Sequence, residues 1–368
     1  MPVQFHNVCL EAFAYTLPDE VVTSEQIETR LAPLYTRLRL PEGRLELMSG
    51  IRERRFWPEG MPPSEKSVET AEKAIRVSGI QRRHIGALVH GSVCRDFLEP
   101  ATACGVHHQL DLPGECLIYD VSNACLGILN GMVQVANMIE LGQIRAGIVV
   151  GTEDSRSLVE NTIERLNSDQ SLTRNDIKRV VASLTIGSGS AAVLLCDREL
   201  SQTGNRVLGG VFRTNTGGCK LCQSIGMETL METDSETLMR EGIDVAKETF
   251  GEFLDAVDWS TAEINRTFCH QVGRAHRKLM LDVLKLDPAI DYSTLEFLGN
   301  TGSVALPITA ALGIENGYVK KDDHIALLGI GSGINVVMLG VEWQRSLLER
   351  EMRPSESRGE KGPVRKIR

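Results

Sequence analysis

The chain has 368 residues, 42% of them hydrophobic, which suffices for two packed layers or for two halves of one large domain around a sizeable core. Its 49 acidic and 40 basic side chains give a formal net charge of -9, with no basic cluster before the last segment, which argues against a nucleic-acid partner. No run of 18 apolar residues exists to span a membrane, and the opening MPVQFHNVCLEAFAY lacks the basic and apolar regions of a signal peptide.

In chain order, short apolar runs bounded by Gly, Asp or Asn predict buried strands over residues 85–91, 116–121, 146–151 and 190–196. Apolar and small residues at helical spacing predict helices over 68–77 and 127–141. Alternating strands and helices imply an α/β protein with a parallel or mixed sheet. The second half repeats the order: strands over 208–213 and 266–270, helices over 235–256, 274–284 and 302–312, and two final strands over 324–331 and 334–343.

Two local echoes suggest a duplication. Ile186-Gly-Ser-Gly-Ser-Ala-Ala-Val resembles Ile330-Gly-Ser-Gly-Ile-Asn-Val-Val, and an Asn stands before a helix in each half, at Asn123 and Asn300. Two such halves would leave a crevice where their strand ends meet. The expected organisation is an N-terminal half over 1–200, a C-terminal half over 201–345 and a charged tail over 346–368, disordered from 353 onward. Residues 152–185, polar and without a counterpart in the second half, read as an insertion, either a lid or a dimer arm.

Nine scattered cysteines fit free thiols in a reducing cytoplasm. Cys125, in Ser122-Asn-Ala-Cys-Leu-Gly127, lies where a strand gives way to a helix, so first-turn amides and the helix dipole would lower its pKa. His270 ends a strand and is followed by a turn, which points it into the crevice. Asn300 lies between glycines before a helix, as a cap or as a polar partner. A Cys, a His and an Asn at three such junctions match a thiol nucleophile with partners distant in sequence. Gly331-Ser332-Gly333 is a turn whose amides suit an oxyanion hole or simply close a hairpin. Cys219-Lys-Leu-Cys222 has no second ligand pair, so no metal site follows, and Gly187-Ser-Gly189 lacks dinucleotide spacing.

Taken together, Asn123-Ala-Cys-Leu-Gly127, Cys269-His-Gln-Val-Gly273, Gly299-Asn-Thr-Gly-Ser303 and Gly329-Ile-Gly-Ser-Gly333 resemble four motifs of the thiolase superfamily, in its β-ketoacyl synthase III-like branch. The resemblance spans residues 3–345. It implies two pseudo-symmetric βαβαβαββ halves in a layered α/β/α/β/α arrangement. Segments 139–153 and 297–300 resemble, within that branch, the head-to-head condensing enzymes of bacterial olefin synthesis. Glu99, which spacing alone leaves as a solvated acid before Pro100, falls where those enzymes carry a base that reaches in from the partner subunit.

That resemblance implies a cytoplasmic homodimeric acyltransferase with Cys125, His270, Asn300 and Glu99 catalytic, and the amides of Cys125 and Ser332 as oxyanion hole. No metal or resident cofactor is expected. The substrates would be two long-chain acyl-CoA molecules, joined without decarboxylation to a β-keto acid that downstream pathway enzymes could take over. Phe97 and Leu98 are expected to help give Glu99 an apolar setting. Ser49-Gly-Ile-Arg-Glu-Arg54 resembles the start of the family's coenzyme A loop, but the Trp and Arg expected upstream are missing, so no coenzyme A contacts are assigned. The alternatives are a decarboxylating synthase III using malonyl-carrier protein, which would not need Glu99, and a non-catalytic acyl-binding protein.

Overall fold

Strands that read as continuous apolar runs must be covered on both faces, and that requirement explains the layering. The computed structural model describes residues 2–224 and 231–347; residues 348–368, on which most of the expected tail falls, lie outside them. The N-terminal half runs β1 (Val8–Thr16), α1 (Pro63–Ser78), β2 (Ile85–Gly91), α2 (Thr102–Gln109), β3 (Leu117–Val121), α3 (Gly127–Glu140), β4 (Ala146–Glu153) and β5 (Gly189–Asp197). The C-terminal half repeats it: β6 (Arg206–Thr214), α4 (Ser235–Val257), β7 (Arg266–Cys269), α5 (Arg274–Leu284), β8 (Asp291–Tyr292), α6 (Ala305–Glu315), β9 (His324–Gly331) and β10 (Asn335–Glu342).

Strand order is β3-β2-β4-β5-β1 in the first half and β8-β7-β9-β10-β6 in the second, the same permutation twice. The directions also repeat. In each half the second strand pairs parallel with the third and the fourth, and the last strand is antiparallel to both its neighbours. Cys9 pairs with Arg206, and residues Pro2–Gln4 pair antiparallel with Gly209–Val211, so the two halves form one sheet.

Alternate residues of each strand face different cores. Val89, Val149, Leu327 and Leu339 point inward to a central cluster with α3 and α6. Leu88, Ile148 and Val150 point outward to α1 and α2, while Ala326, Leu328 and Met338 point outward to α4 and α5. The layers are therefore helices, sheet, helices, sheet, helices, the arrangement that the resemblance implied.

The segment 152–185 is anchored on its own chain: β4 extends to Glu153, and helices Arg156–Ser168 and Arg174–Val180 follow. Val159, Ile163, Leu166 and Leu184 then pack with Ile27, Leu31, Leu34 and Phe56 of the same chain into a core of their own. Helix α3 starts at Gly127, as expected, and a 3₁₀ turn over Gly302–Val304 leads into α6, so neither Asn123 nor Asn300 is the cap of its helix.

The start of α3 lies against the end of β2 with no room for a side chain. A Cβ on Gly127 would come within 2.8 Å of the Gly91 carbonyl carbon, and one on Gly91 within 2.7 Å of the Gly127 carbonyl carbon. Gly127→Ala is therefore expected to destabilise the protein by about 1–3 kcal/mol, as overpacking does. Gly114→Ala, at a position with open space around its Cβ, should leave the urea midpoint nearly unchanged. Equal midpoints for the two variants would contradict the close approach.

Candidate active site

Four segments meet where the strands of the two halves end. The first is the turn after β3, in which Leu126 N donates to Asn123 O at 2.9 Å. Ala124 takes φ 44° there, a left-handed conformation that costs a non-glycine residue on the order of 1 kcal/mol or more. That strained turn sets Cys125 two residues ahead of α3. Asn123 holds it on both sides: its Nδ2 donates to Asn130 Oδ1 at 2.8 Å, and its Oδ1 accepts from Asn335 Nδ2 at 3.1 Å.

The second segment is the hairpin between β9 and β10. Gly331 passes so close to the nucleophile turn that a Cβ there would sit 3.0 Å from Leu126 Cγ and 3.5 Å from Cys125 N. The backbone amides of Ser332 and of Cys125 itself act on the Cys125 sulfur in favour of its ionised form. Asn335 Nδ2 also donates to Ser332 O at 3.2 Å, so one side chain ties the two turns together.

His270 follows β7 and extends its ladder beside β9, its N donating to Leu328 O at 3.0 Å. The ring is only 4% exposed, and neither Nδ1 nor Nε2 has a hydrogen-bond partner. Burial, with a smaller push from His276, lowers its pKa to about 3, so the imidazole is neutral near pH 7. A neutral ring with both nitrogens unmet in a buried site is poised to bond a ligand.

Asn300 is docked by its backbone: its N donates to Thr185 O at 3.0 Å and its O accepts from Gly187 N at 2.9 Å. Its Oδ1 accepts from Gly302 N at 3.0 Å, which fixes the oxygen end of the amide and leaves Nδ2 as a donor.

One expectation is corrected here. The Cys125 thiol is not acidic: its pKa is pushed up to about 12, because burial outweighs the two amides, and the thiol of Cys222 and the carboxylate of Glu153 add to the rise. The residue keeps some accessible surface. Glu99 stands apart from these residues in the single chain. It is exposed on the loop after β2, beside Phe97 at 65% and Leu98 at 96% exposure, and forms no hydrogen bond with the other four residues. Sequence reasoning missed Asn335 and Glu153, polar residues at strand ends whose partners lie far along the chain.

Two family models match the chain: the C-terminal domain of 3-oxoacyl-[acyl-carrier-protein] synthase III over residues 254–343, and the N-terminal thiolase domain over residues 59–188. An acyl-CoA:acyl-CoA alkyltransferase of Shewanella oneidensis is 41% identical over 351 residues, covering 93% of this chain and 100% of that protein. Another, of Xanthomonas campestris, is 37% identical and covers 92% of this chain and 99% of its own. Among solved structures, a Cys-to-Ser variant of Xanthomonas campestris OleA with bound lauric acid and lauroyl-CoA superposes with a TM-score of 0.88 at 36% identity, covering 92% of this chain and 100% of the other. A shared fold and near full-length identity at this level place the chain among the acyl-CoA:acyl-CoA alkyltransferases, condensing enzymes of the thiolase superfamily in its ketoacyl synthase III-like branch.

Proposed function

We propose that this protein joins two long-chain acyl-CoA molecules head to head, without decarboxylation, to give a β-keto acid. The observation that carries this reading is a carboxylate, Glu99, on an exposed loop in a chain similar over nearly its full length to acyl-CoA:acyl-CoA alkyltransferases. A decarboxylating synthase obtains its carbanion by losing carbon dioxide and needs no such base.

In the first half-reaction Cys125 Sγ attacks the thioester carbonyl carbon while the amides of Cys125 and Ser332 hold the oxyanion. At rest the thiol and the His270 imidazole are both uncharged. The thiol proton passes to the imidazole as the sulfur attacks, and from there to the departing coenzyme A sulfur. An acyl-Cys125 intermediate and free coenzyme A result.

In the second half-reaction Glu99 of a partner subunit takes the α proton of a second acyl-CoA. His270 and Asn300 Nδ2 hydrogen-bond the developing enolate oxygen; removing one such donor typically costs about 10²–10³ in rate. The α carbon then attacks the acyl carbonyl, expelling Cys125 Sγ. Water hydrolyses the remaining thioester and leaves the β-keto acid for downstream enzymes. The residues themselves supply this chemistry, with no resident cofactor.

The second copy of the chain is part of the reading. β3 is an outer strand of the sheet with a free edge, and Leu117, Phe97 and Leu98 are exposed nearby on the same half. Covering that surface with a second copy would bury Glu99 among apolar groups, the setting that suits a carboxylate acting as a base near pH 7. Acyl-CoA substrates and nine unpaired cysteines fit the cytoplasm, and no helix among the described residues is long and apolar enough to cross a membrane.

Incubation with long-chain acyl-CoA alone should release coenzyme A and give the β-keto acid or the ketone formed from it; a strict requirement for malonyl-carrier protein would refute the reading. Glu99→Gln should retain acylation of Cys125 and abolish condensation. Mixing Glu99→Gln with Cys125→Ala chains should restore product, because each mixed dimer regains one site with Cys125 from one chain and Glu99 from the other. Continued inactivity of verified mixed dimers would place Glu99 in its own chain's site or outside the chemistry. Without substrate, alkylation of Cys125 should accelerate about tenfold per pH unit from pH 7 to 10, following the thiolate fraction; a plateau near pH 8, read by peptide mass spectrometry, would show an acidic thiol instead.

A further inference from the structure

We infer that Glu153 is a positioning residue for the condensation step, holding the loop that bears Glu99 and the segment that bears Asn300 on one carboxylate. This rests on the reading above. Glu153 ends β4 and is 6% exposed. Its Oε1 accepts from Val93 N at 3.1 Å, from Ser303 N at 3.3 Å and from the Ser303 hydroxyl, and its Oε2 accepts from Cys94 N at 3.3 Å. Val93 and Cys94 open the loop that leads to Glu99. Ser303 lies three residues after Asn300, and Gly302, which donates to Asn300 Oδ1, has its Cβ position 3.3 Å from Glu153 Cδ.

The chemistry of the tie requires an acid. All four partners are donors, and only a carboxylate presents two acceptor oxygens with no hydrogen to turn toward them. No ion pair offsets its charge among the described residues, and its field makes the Cys125 thiol harder to ionise. A side chain kept only to fill space would not carry that cost.

Neighbouring bonds anchor the same loop to the same strand end. Ser92 Oγ donates to Thr152 O at 2.7 Å, Cys94 Sγ to Asp154 O at 3.4 Å, and Asp154 N to Cys94 Sγ at 3.3 Å. These bonds hold the loop to β4, whereas Glu153 alone also reaches the Asn300 segment. The base offered to the partner's site and the enolate donor kept in its own site are thus fixed to one frame.

Glu153→Gln keeps size but puts an NH2 in place of one oxygen, opposite Cys94 N or opposite both Val93 N and Ser303 N, so the Glu99 loop loses at least one of its two bonds to this residue. Acylation of Cys125, measured by intact mass after a brief pulse of acyl-CoA, is expected to be undiminished or faster, because the variant removes a charge that opposes ionisation of the thiol. Product per acyl-enzyme is expected to fall on the order of 10²-fold, as about 1 Å of misplacement does. Ser303→Ala, which removes one donor and leaves the carboxylate, should show the same split more weakly and is the deciding variant if Glu153→Gln does not fold. Undiminished condensation in a folded Glu153→Gln, or equal losses in both half-reactions, overturns the inference. If wild-type protein is acylated but never condenses, the functional reading falls and takes this inference with it, whereas normal wild-type condensation beside an unimpaired variant overturns the inference alone.

Discussion

Helices α3 and α6 have a sheet on each side, and the rest of the molecule follows from that constraint. A helix such as Ala305–Glu315, buried almost all round, cannot sit on a surface. Two sheets must close on it, and a single five-stranded half supplies only one. Packing the halves against each other through α3 and α6 gives each half the cover it lacks. It also brings the approaches to those two helices, residues 123–126 and 300–304, to where the strands of both halves end.

The site uses this convergence in a division of labour. The N-terminal half brings the nucleophile turn and the Glu99 loop; the C-terminal half brings the imidazole, the amide side chain and the Ser332 amide. Few direct bonds join the two sets. Asn335 links the nucleophile turn to the oxyanion turn, and Glu153 links the Glu99 loop to the Asn300 segment. Both residues sit at strand ends, where a rigid ladder limits backbone movement and places the tie accurately.

Electrostatics in the resting site favour neutrality. Burial raises the Cys125 thiol and lowers the His270 imidazole, so neither carries charge before substrate arrives. A neutral His270 can serve as proton acceptor in the first half-reaction and as hydrogen-bond donor in the second.

The order of elements and the duplication were legible in the sequence, and so was the placing of Cys125, His270, Asn300 and Ser332 at the ends of elements. Apolar runs, helical spacing and the glycines beside each motif are local features, and local sterics and burial govern them. The early expectation of an acidic thiol failed because desolvation depends on what surrounds the sulfur in three dimensions, which no local pattern contains. The anchoring of the insertion was not legible, because its apolar stripe needed Ile27, Leu31 and Leu34, more than a hundred residues away, as partners. Glu153 and Asn335 stayed hidden for the same reason: a polar side chain becomes a tie only when distant donors or acceptors are brought within 3.3 Å of it, and that proximity belongs to the tertiary structure.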